Sequence, residues 1–414
     1  MLGRQYGPHV HPQTSEPSLP APAGARHASW LELFFDLVAV AGVAQLAHLL
    51  HGDPDARDVG LYVVLFAAFW TVWISFTLYG NVAAETTRTR TLLLGMACLT
   101  VMAAAVHGVQ EGDRGRTFAV AYVVARLIAG RVWEHRHQRV RGWPAARFTA
   151  GVTPWVMSLW VQEPARPWLW AAGLAVDLLL AVTVPARRGD GHPGRRVEQR
   201  AASVDPASPA DGKFSEGAGK ETLARVDVEH LTERLGLFVL IVLGEGVYQL
   251  VDGVSEGPWD TARRLSAPAA FLTLVVMWSL CLRRGLGGIP LLRTPPALGA
   301  VLAFHCCTAA AVAALGAGLG GVVADLGDTR PDQSLIMAAG AGAYILIAAG
   351  AGMRNTSGRT TWLLAGVLPA AALCTTVALT ADALPSARQA WVITASIAWL
   401  SAAARTIFPA CDPG

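Results

Sequence analysis

The sequence predicts an all-α polytopic membrane protein, a bundle of about twelve transmembrane helices in two six-span halves. Three observations predict it. Of the 414 residues, 53% are hydrophobic and only 15% charged, where a soluble domain carries nearer a quarter charged. Mean hydropathy is +0.40. Apolar runs of about 18 residues or more recur along the chain, the length a helix needs to cross hydrocarbon.

Taken in order, the apolar runs place spans near 30–50, 61–80, 92–110, 117–133, 147–162 and 167–185 in the first half. In the second half they fall near 234–252, 267–283, 297–321, 334–352, 361–381 and 388–406. Pro154 interrupts the fifth run, so a kink is expected there. Residues 1–28 are rich in Pro, His and Ser and lack the apolar stretch of a signal peptide, so they read as a disordered cytoplasmic tail. Residues 29–185 form the first half, 186–229 a flexible cytoplasmic linker, and 230–408 the second half. The linker is mostly Arg, Gly, Asp, Pro, Ser and Ala, too polar to offset its ordering entropy by burial.

Loop charge sets the expected orientation. Arg131, Arg136, Arg139, Arg141 and Arg147 form one basic cluster, and Arg187, Arg188, Arg195, Arg196 and Arg200 another. Both lie on the side shared by the N-terminus, the linker and the C-terminus, which places both termini in the cytoplasm of a bacterial inner membrane. The halves also show a faint likeness. Glu32 and Glu233 open spans one and seven, His107 and His305 lie in spans three and nine, and Trp73 and Trp278 in the second span of each half.

The net charge is only +3 and its basic residues sit between spans, which argues against a nucleic-acid partner. The expected partners are the lipid bilayer and a small solute or ion. The six cysteines form no C-x-x-C pair, so neither a zinc site nor a disulfide framework is indicated. Glu134-His135-Arg-His137 has too few ligands for a metal centre. A phosphate loop, a nucleophile elbow and an HExxH motif are all absent. No enzyme and no cofactor is expected.

The chemistry-bearing candidates are charges inside apolar runs, where each costs about 3 kcal/mol or more unless it finds a partner. Ser29-x-x-Glu32 reads as a capping box, which would occupy Glu32 at a helix end. Asp36 lies one turn deeper on the same face, roughly 10 Å inside the span. It needs a polar cavity or a charged partner. Glu233 invites the same end-of-helix reading as Glu32. Glu245 lies roughly 18 Å of helix further on. It is flanked by Gly244 and Gly246, which permit close approach of another backbone, and Gln249 continues its face. The alternative is that Glu245 only pairs with an Arg or His to hold the bundle. Arg126 and Asp177 are each other's simplest partner, a structural ion pair, with Asp36 the second choice for Arg126. His48, His107 and His305 are candidate proton carriers, or else satisfied interhelical hydrogen-bonding groups. The glycines of the Ala-rich last third, among them Gly316, Gly318, Gly320 and Gly340, read as packing scaffold.

Two blocks carry a resemblance. Trp30-Leu-Glu32-Leu-Phe-Phe-Asp36-Leu-Val with Gln45 and His48, and His230-Leu-Thr-Glu233-Arg through Gly244-Glu245, resemble the low temperature requirement A (LtrA) family of bacterial membrane proteins. Trp70 with Trp73, Arg126, Asp177 and His305 match more weakly. The resemblance covers roughly residues 28–320 and implies membrane location and fold, with a link to growth in the cold; it implies no reaction. Family members commonly carry an acid after the aromatic run of span eight, where this chain has Trp278-Ser-Leu-Cys-Leu-Arg283-Arg284. The favoured function is transport of a small solute or ion, coupled to protons or cations through Asp36, Glu245 and His305. A non-transporting scaffold or cold-adaptation factor is the alternative, and an intramembrane lipid-modifying enzyme the third. A transporter should show a water-accessible cavity at Asp36 or Glu245, and a scaffold should seal every charge in a pair.

Overall fold

The computed structural model describes residues 27–83, 89–135, 138–140, 150–183, 222–224, 226–293, 295–324, 331–355 and 358–408. Within them the chain is a helical bundle. The first half holds α1 (Trp30–Ala47), α2 (Ala56–Ala83), α3 (Thr89–Val106), α4 (Gly112–His135), α5 (Val152–Met157) and α6 (Arg166–Thr183). The second holds α7 (Val228–Ser255), α8 (Thr261–Trp278), α9 (Leu298–Ala324), α10 (Pro331–Gly352), α11 (Arg359–Leu379) and α12 (Ser386–Ile407). A π turn at Ser279–Arg283 prolongs α8, and another at Trp362–Val367 lies within α11. Gln138–Val140 and Thr222–Ala224 pair as two short parallel strands, β1 and β2.

Among the described residues nine helices are long and apolar enough to cross a membrane: α1 to α3 and α7 to α12. The expected count of twelve is not confirmed among the described residues. α4 has 24 residues and α6 has 18, but neither is among the nine. The fifth expected span is corrected most. Its described helix has six residues, roughly 9 Å at 1.5 Å per residue, too short to cross alone. Pro154 falls in the first turn of α5, where a missing N–H costs nothing, so it starts this helix instead of kinking a longer one. The chain still returns across the bundle between α4 and α6. Arg166 at the start of α6 donates to the Gly112 carbonyl at the start of α4, 3.1 Å away, and so lies at the end opposite His135. The expected tail (1–28) and linker (186–229) fall mostly outside the described residues.

α7 starts at Val228, earlier than the hydropathy run suggests. Asp227 is its N-cap and accepts from the His230 amide at 3.1 Å. Glu233 is thus inside the second turn and does not open the helix. The bundle packs as two sets. α3 lies between α1 and α4 while α2 touches α1, α4 and α6; α9 lies between α7 and α10 while α8 packs on α12. The sets meet where α1 and α2 press on α7 and α9. α2 is the most enclosed span, with 72% of its apolar window buried. Outward faces carry apolar side chains such as Leu346 at 71% exposure and Leu379 at 82%. That is the pattern of a chain whose solvent is hydrocarbon.

The α7–α9 crossing depends on small residues. A methyl group added at Gly316 would sit 2.8 Å from the Gly246 Cα, and one at Gly320 would sit 2.7 Å from the Gln249 carbonyl oxygen. Of the two glycines flanking Glu245, only Gly246 serves close packing; Gly244 faces open space. Both described chain ends lie at one end of the bundle. Asn81, late in α2, exchanges hydrogen bonds with Asp227 at the start of α7, at 2.8 and 2.9 Å. Beside it a tight turn after α8 packs Gly287 and Gly288 against Leu235 and Val239 of α7. Their φ angles of +56° and +76° favour glycine. From the same loop Arg293 donates to the Phe408 carbonyl at 2.6 Å. Gly316→Val should therefore lower stability by about 1–3 kcal/mol through overpacking, while Gly244→Ala should be neutral or slightly stabilising. Thermal melts in detergent check both.

Candidate functional site

The buried charges assemble at the seam between the two sets of helices. Asp36 on α1 is fully buried. Arg234 on α7 grips it with two prongs: Nη2 donates to Oδ1 at 2.6 Å and Nε to Oδ2 at 3.1 Å. Trp73 Nε1 on α2 donates to the same Oδ1 at 2.7 Å. The third nitrogen, Nη1, lies 3.2 Å from Glu32 Oε1, and Nη2 also reaches the Glu32 carbonyl at 3.3 Å. Glu32 closes its capping box as well, since its carboxylate accepts from the Ser29 amide at 2.8 Å while Ser29 Oγ accepts from the Glu32 amide. His230 Nε2 stands 3.5 Å from Glu32 Oε2. On its other side Asn81 Nδ2 lies 3.2 Å from His230 Nδ1.

This geometry follows from matched helix spacing. Glu32 and Asp36 are one turn apart on α1, and His230 and Arg234 are one turn apart on α7. Two parallel helices in register place the acidic pair against the basic pair. A bidentate Arg–carboxylate pair is among the stronger polar contacts available, and in a low-dielectric interior each charge depends on the other.

His305 on α9 completes the seam without facing any cavity. Its Nδ1 accepts from Trp70 Nε1 at 2.9 Å, and its Nε2 donates to the Leu235 carbonyl at 3.0 Å. Those two bonds fix a neutral tautomer. The ring stacks on Trp73 at 5.7 Å and 17°. The residue ties α2, α7 and α9 together, and both ring nitrogens are occupied. The sequence likeness between His107 and His305 is not matched in space: His107 is exposed just past the end of α3, with its ring 5.4 Å from that of His48. Trp73 is fully buried, whereas Trp278 is 40% exposed.

A second buried pair lies within the first set. Arg126 Nη2 on α4 donates to Asp177 Oδ2 on α6 at 2.9 Å, and Nη1 reaches Ser75 Oγ on α2 at 3.2 Å. Gly151, just before α5, faces the Asp177 carboxylate closely enough that any side chain there would collide with it.

Glu245 stands apart from both networks. It is half-buried on α7 and accepts from Gln249 Nε2 at 2.7 Å. Gln249 lines a cavity of about 210 Å³ with His51, Asp252, Glu256, Gly320 and Gln333. This cavity is at the bundle end opposite the chain ends, where Gln333 donates to the Leu50 and Gly52 carbonyls at 3.0 Å each. Burial, then the neighbouring His48, hold the His51 imidazole below its ordinary range, so it is neutral at physiological pH. Glu233 is at the other end, 3.5 Å from the exposed His27. Asp36, Glu245 and His305 are thus not brought into one site. Among the described residues no cluster of three or more His, Cys, Asp or Glu could hold a metal ion.

The model of the family described as bacterial low temperature requirement A protein matches residues 27–402. The chain belongs to the LtrA family. An uncharacterized protein of Rhizobium meliloti (strain 1021) is 31% identical over 268 residues, covering 61% of this chain and 57% of that protein. The chain thus spans little more than half the length of that curated relative. No solved structure matches it. This LtrA-family chain is a multi-pass membrane protein, and the seam joins both blocks that carry the resemblance.

Sequence reasoning missed Arg234, His230, Asn81 and Trp73 as site residues. The signal for the first two was present, since a basic pair at i and i+4 in the second block mirrors the acidic pair in the first. Asp36→Asn should cost about 3–5 kcal/mol by leaving Arg234 undercompensated, and Glu32→Gln should cost more than the roughly 1 kcal/mol of a weakened cap, because it also removes a charged partner of Arg234. In a double-mutant cycle, Arg126→Leu with Asp177→Leu should be better tolerated than either single change. Melting temperatures in detergent measure all of these, and strict additivity in the cycle would contradict the contact.

Proposed function

We propose that this LtrA-family protein passes a small cation or proton across the bacterial inner membrane, with Glu245 as the working intramembrane acid. The observation that carries the reading is a polar cavity lined by Gln249, the residue that hydrogen-bonds Glu245. The cavity of about 210 Å³ carries Asp252 and Glu256 in its lining, and Gln249 in the same lining hydrogen-bonds the Glu245 carboxylate. An intramembrane carboxylate that borders a polar cavity is the usual mark of an ion or proton path. Acidic walls raise local cation concentration. Asp36 takes a different part: gripped by Arg234 and Trp73, it fastens the two helical sets and does not titrate in the cycle. His305 is likewise a brace.

The second reading is a non-transporting membrane scaffold or cold-adaptation factor. What favours it is that Asp36, Glu32, Arg126 and Asp177 all have charged partners within the bundle. The two readings separate at Glu245. In proteoliposomes carrying a pH-sensitive dye, the wild type should dissipate an imposed proton or cation gradient. Glu245→Gln should abolish the flux while leaving the melting temperature within a few degrees. A protein that carries no flux, or a Glu245→Gln variant that only loses stability, would favour the scaffold.

We further propose that the end bearing Ser29 and Phe408 faces the cytoplasm. Arg283, Arg284, Arg293 and Arg405 gather at that end, and positive loops stay inside. An alkaline-phosphatase fusion after Phe408 should be inactive and a green-fluorescent one bright; the reverse result would invert the orientation.

A further inference from the structure

At the end opposite the Glu245 cavity is a larger cleft of about 610 Å³. Three elements supply four arginines to it. Arg283 ends the π turn of α8, Arg284 and Arg293 belong to the loop that follows, and Arg405 is in the last turn of α12. Ser279 adds a hydroxyl, and Leu286 and Leu292 form an apolar wall. No carboxylate lines it among the described residues.

Orientation rules account for arginines at this end of the bundle but not for their convergence on one concavity. Solvated loop charges normally spread apart, because like charges repel and water is the better partner. Here the backbone holds them together. The Gly287–Gly288 turn is wedged against Leu235 and Val239 of α7, which fixes the loop carrying Arg284 and Arg293. Arg293 is anchored to the Phe408 carbonyl at 2.6 Å and sits 5.9 Å from the centre of that ring. Arg405 Nη2 contacts Ser401 Oγ at 3.4 Å. Burial pushes the Arg284 guanidinium below the ordinary arginine range, and repulsion from Arg405, Arg293 and Arg283 adds to it. That electrostatic cost is returned when an anion enters.

We propose that this cleft is a binding site for a phosphate-bearing anion with more than one charged oxygen group. Planar guanidinium forks match phosphate oxygens in pairs. Among the described residues four guanidiniums and no carboxylate line the cleft, a lining that disfavours cations. The volume falls in the range of small-molecule sites, about 300–1,000 Å³, roomy for a diphosphate or a phospholipid headgroup. The site lies at the ends of two membrane spans, α8 and α12, so the anion can arrive from the aqueous phase or from the adjoining leaflet. The inference is independent of the proposed ion path, which lies at the other end of the molecule.

Two arms test it with the full-length protein in nanodiscs. In phosphatidylcholine discs, sodium pyrophosphate is titrated by calorimetry. In discs doped with cardiolipin, whose headgroup carries two phosphates, co-purifying lipid is counted by native mass spectrometry. Binding in the first arm identifies a soluble polyphosphate ligand, and enrichment of the acidic lipid in the second identifies a headgroup. In whichever arm binds, Arg284→Gln with Arg405→Gln should weaken binding roughly tenfold or more. Arg264→Gln, at the opposite end, should leave it unchanged. If the double variant does not fold, the exposed Arg283→Gln alone should still weaken binding several-fold. Absence of binding in both arms, or variants that bind like wild type, would overturn the proposal.

Discussion

The fold is held at its seam by the contact of one guanidinium with two carboxylates. Arg234 sits between Asp36 and Glu32, with Trp73 and His230 at the flanks. In hydrocarbon none of these charges could stand alone. The seam therefore cannot open without exposing a charge to a medium that does not solvate it. Replacing the set by apolar residues could cost little in stability. What the charged seam supplies is register. α1 and α7 can satisfy both pairs at one turn-to-turn alignment only, and His305 repeats the constraint one layer away by bonding Trp70 and the Leu235 carbonyl.

Away from the seam, packing follows a different rule. Lipid gives no hydrophobic incentive for one apolar helix to prefer another, so close approach and dispersion decide. The α7–α9 crossing at Gly246 and Gly316 is of that kind. It carries α7 past α9 so closely that Gln249, the hydrogen-bond partner of Glu245, lines a polar cavity. The glycine crossing and the acid are thus one arrangement. Small residues bring the backbones together, and the helix face that remains opens toward Gln333 and the acids beyond.

The two ends of the bundle differ in charge. Acids and a neutral imidazole line the cavity at one end, and arginines without acids line the cleft at the other. The sealed seam is close to the arginine end, since Ser29 and Asp227 cap the two helices it joins. Among the described residues no Lys or Arg lines the acidic cavity.

The sequence by itself determined the solvent and the class of fold. Hydropathy and run length report on each segment separately, so about twelve spans were expected where nine described helices are long and apolar enough to cross; the capping box at Ser29 and Glu32 was legible as well. Boundaries governed by tertiary contact were not. α7 begins at Val228 because Asp227 caps it and Asn81 holds Asp227. Asp36, Arg126 and Asp177 were legible as buried charges, because each is costly in an apolar run, whereas Arg234 and His230 were not. Their partners were legible only where the choice was narrow, as with Arg126 and Asp177. The chain could not show that Asp36 is locked while Glu245 borders a cavity. Both are single acids in apolar runs, and what separates them is which helix lies opposite. That is a property of the packed bundle, because a charge is satisfied by whatever stands within about 3 Å of it, and sequence distance does not report that.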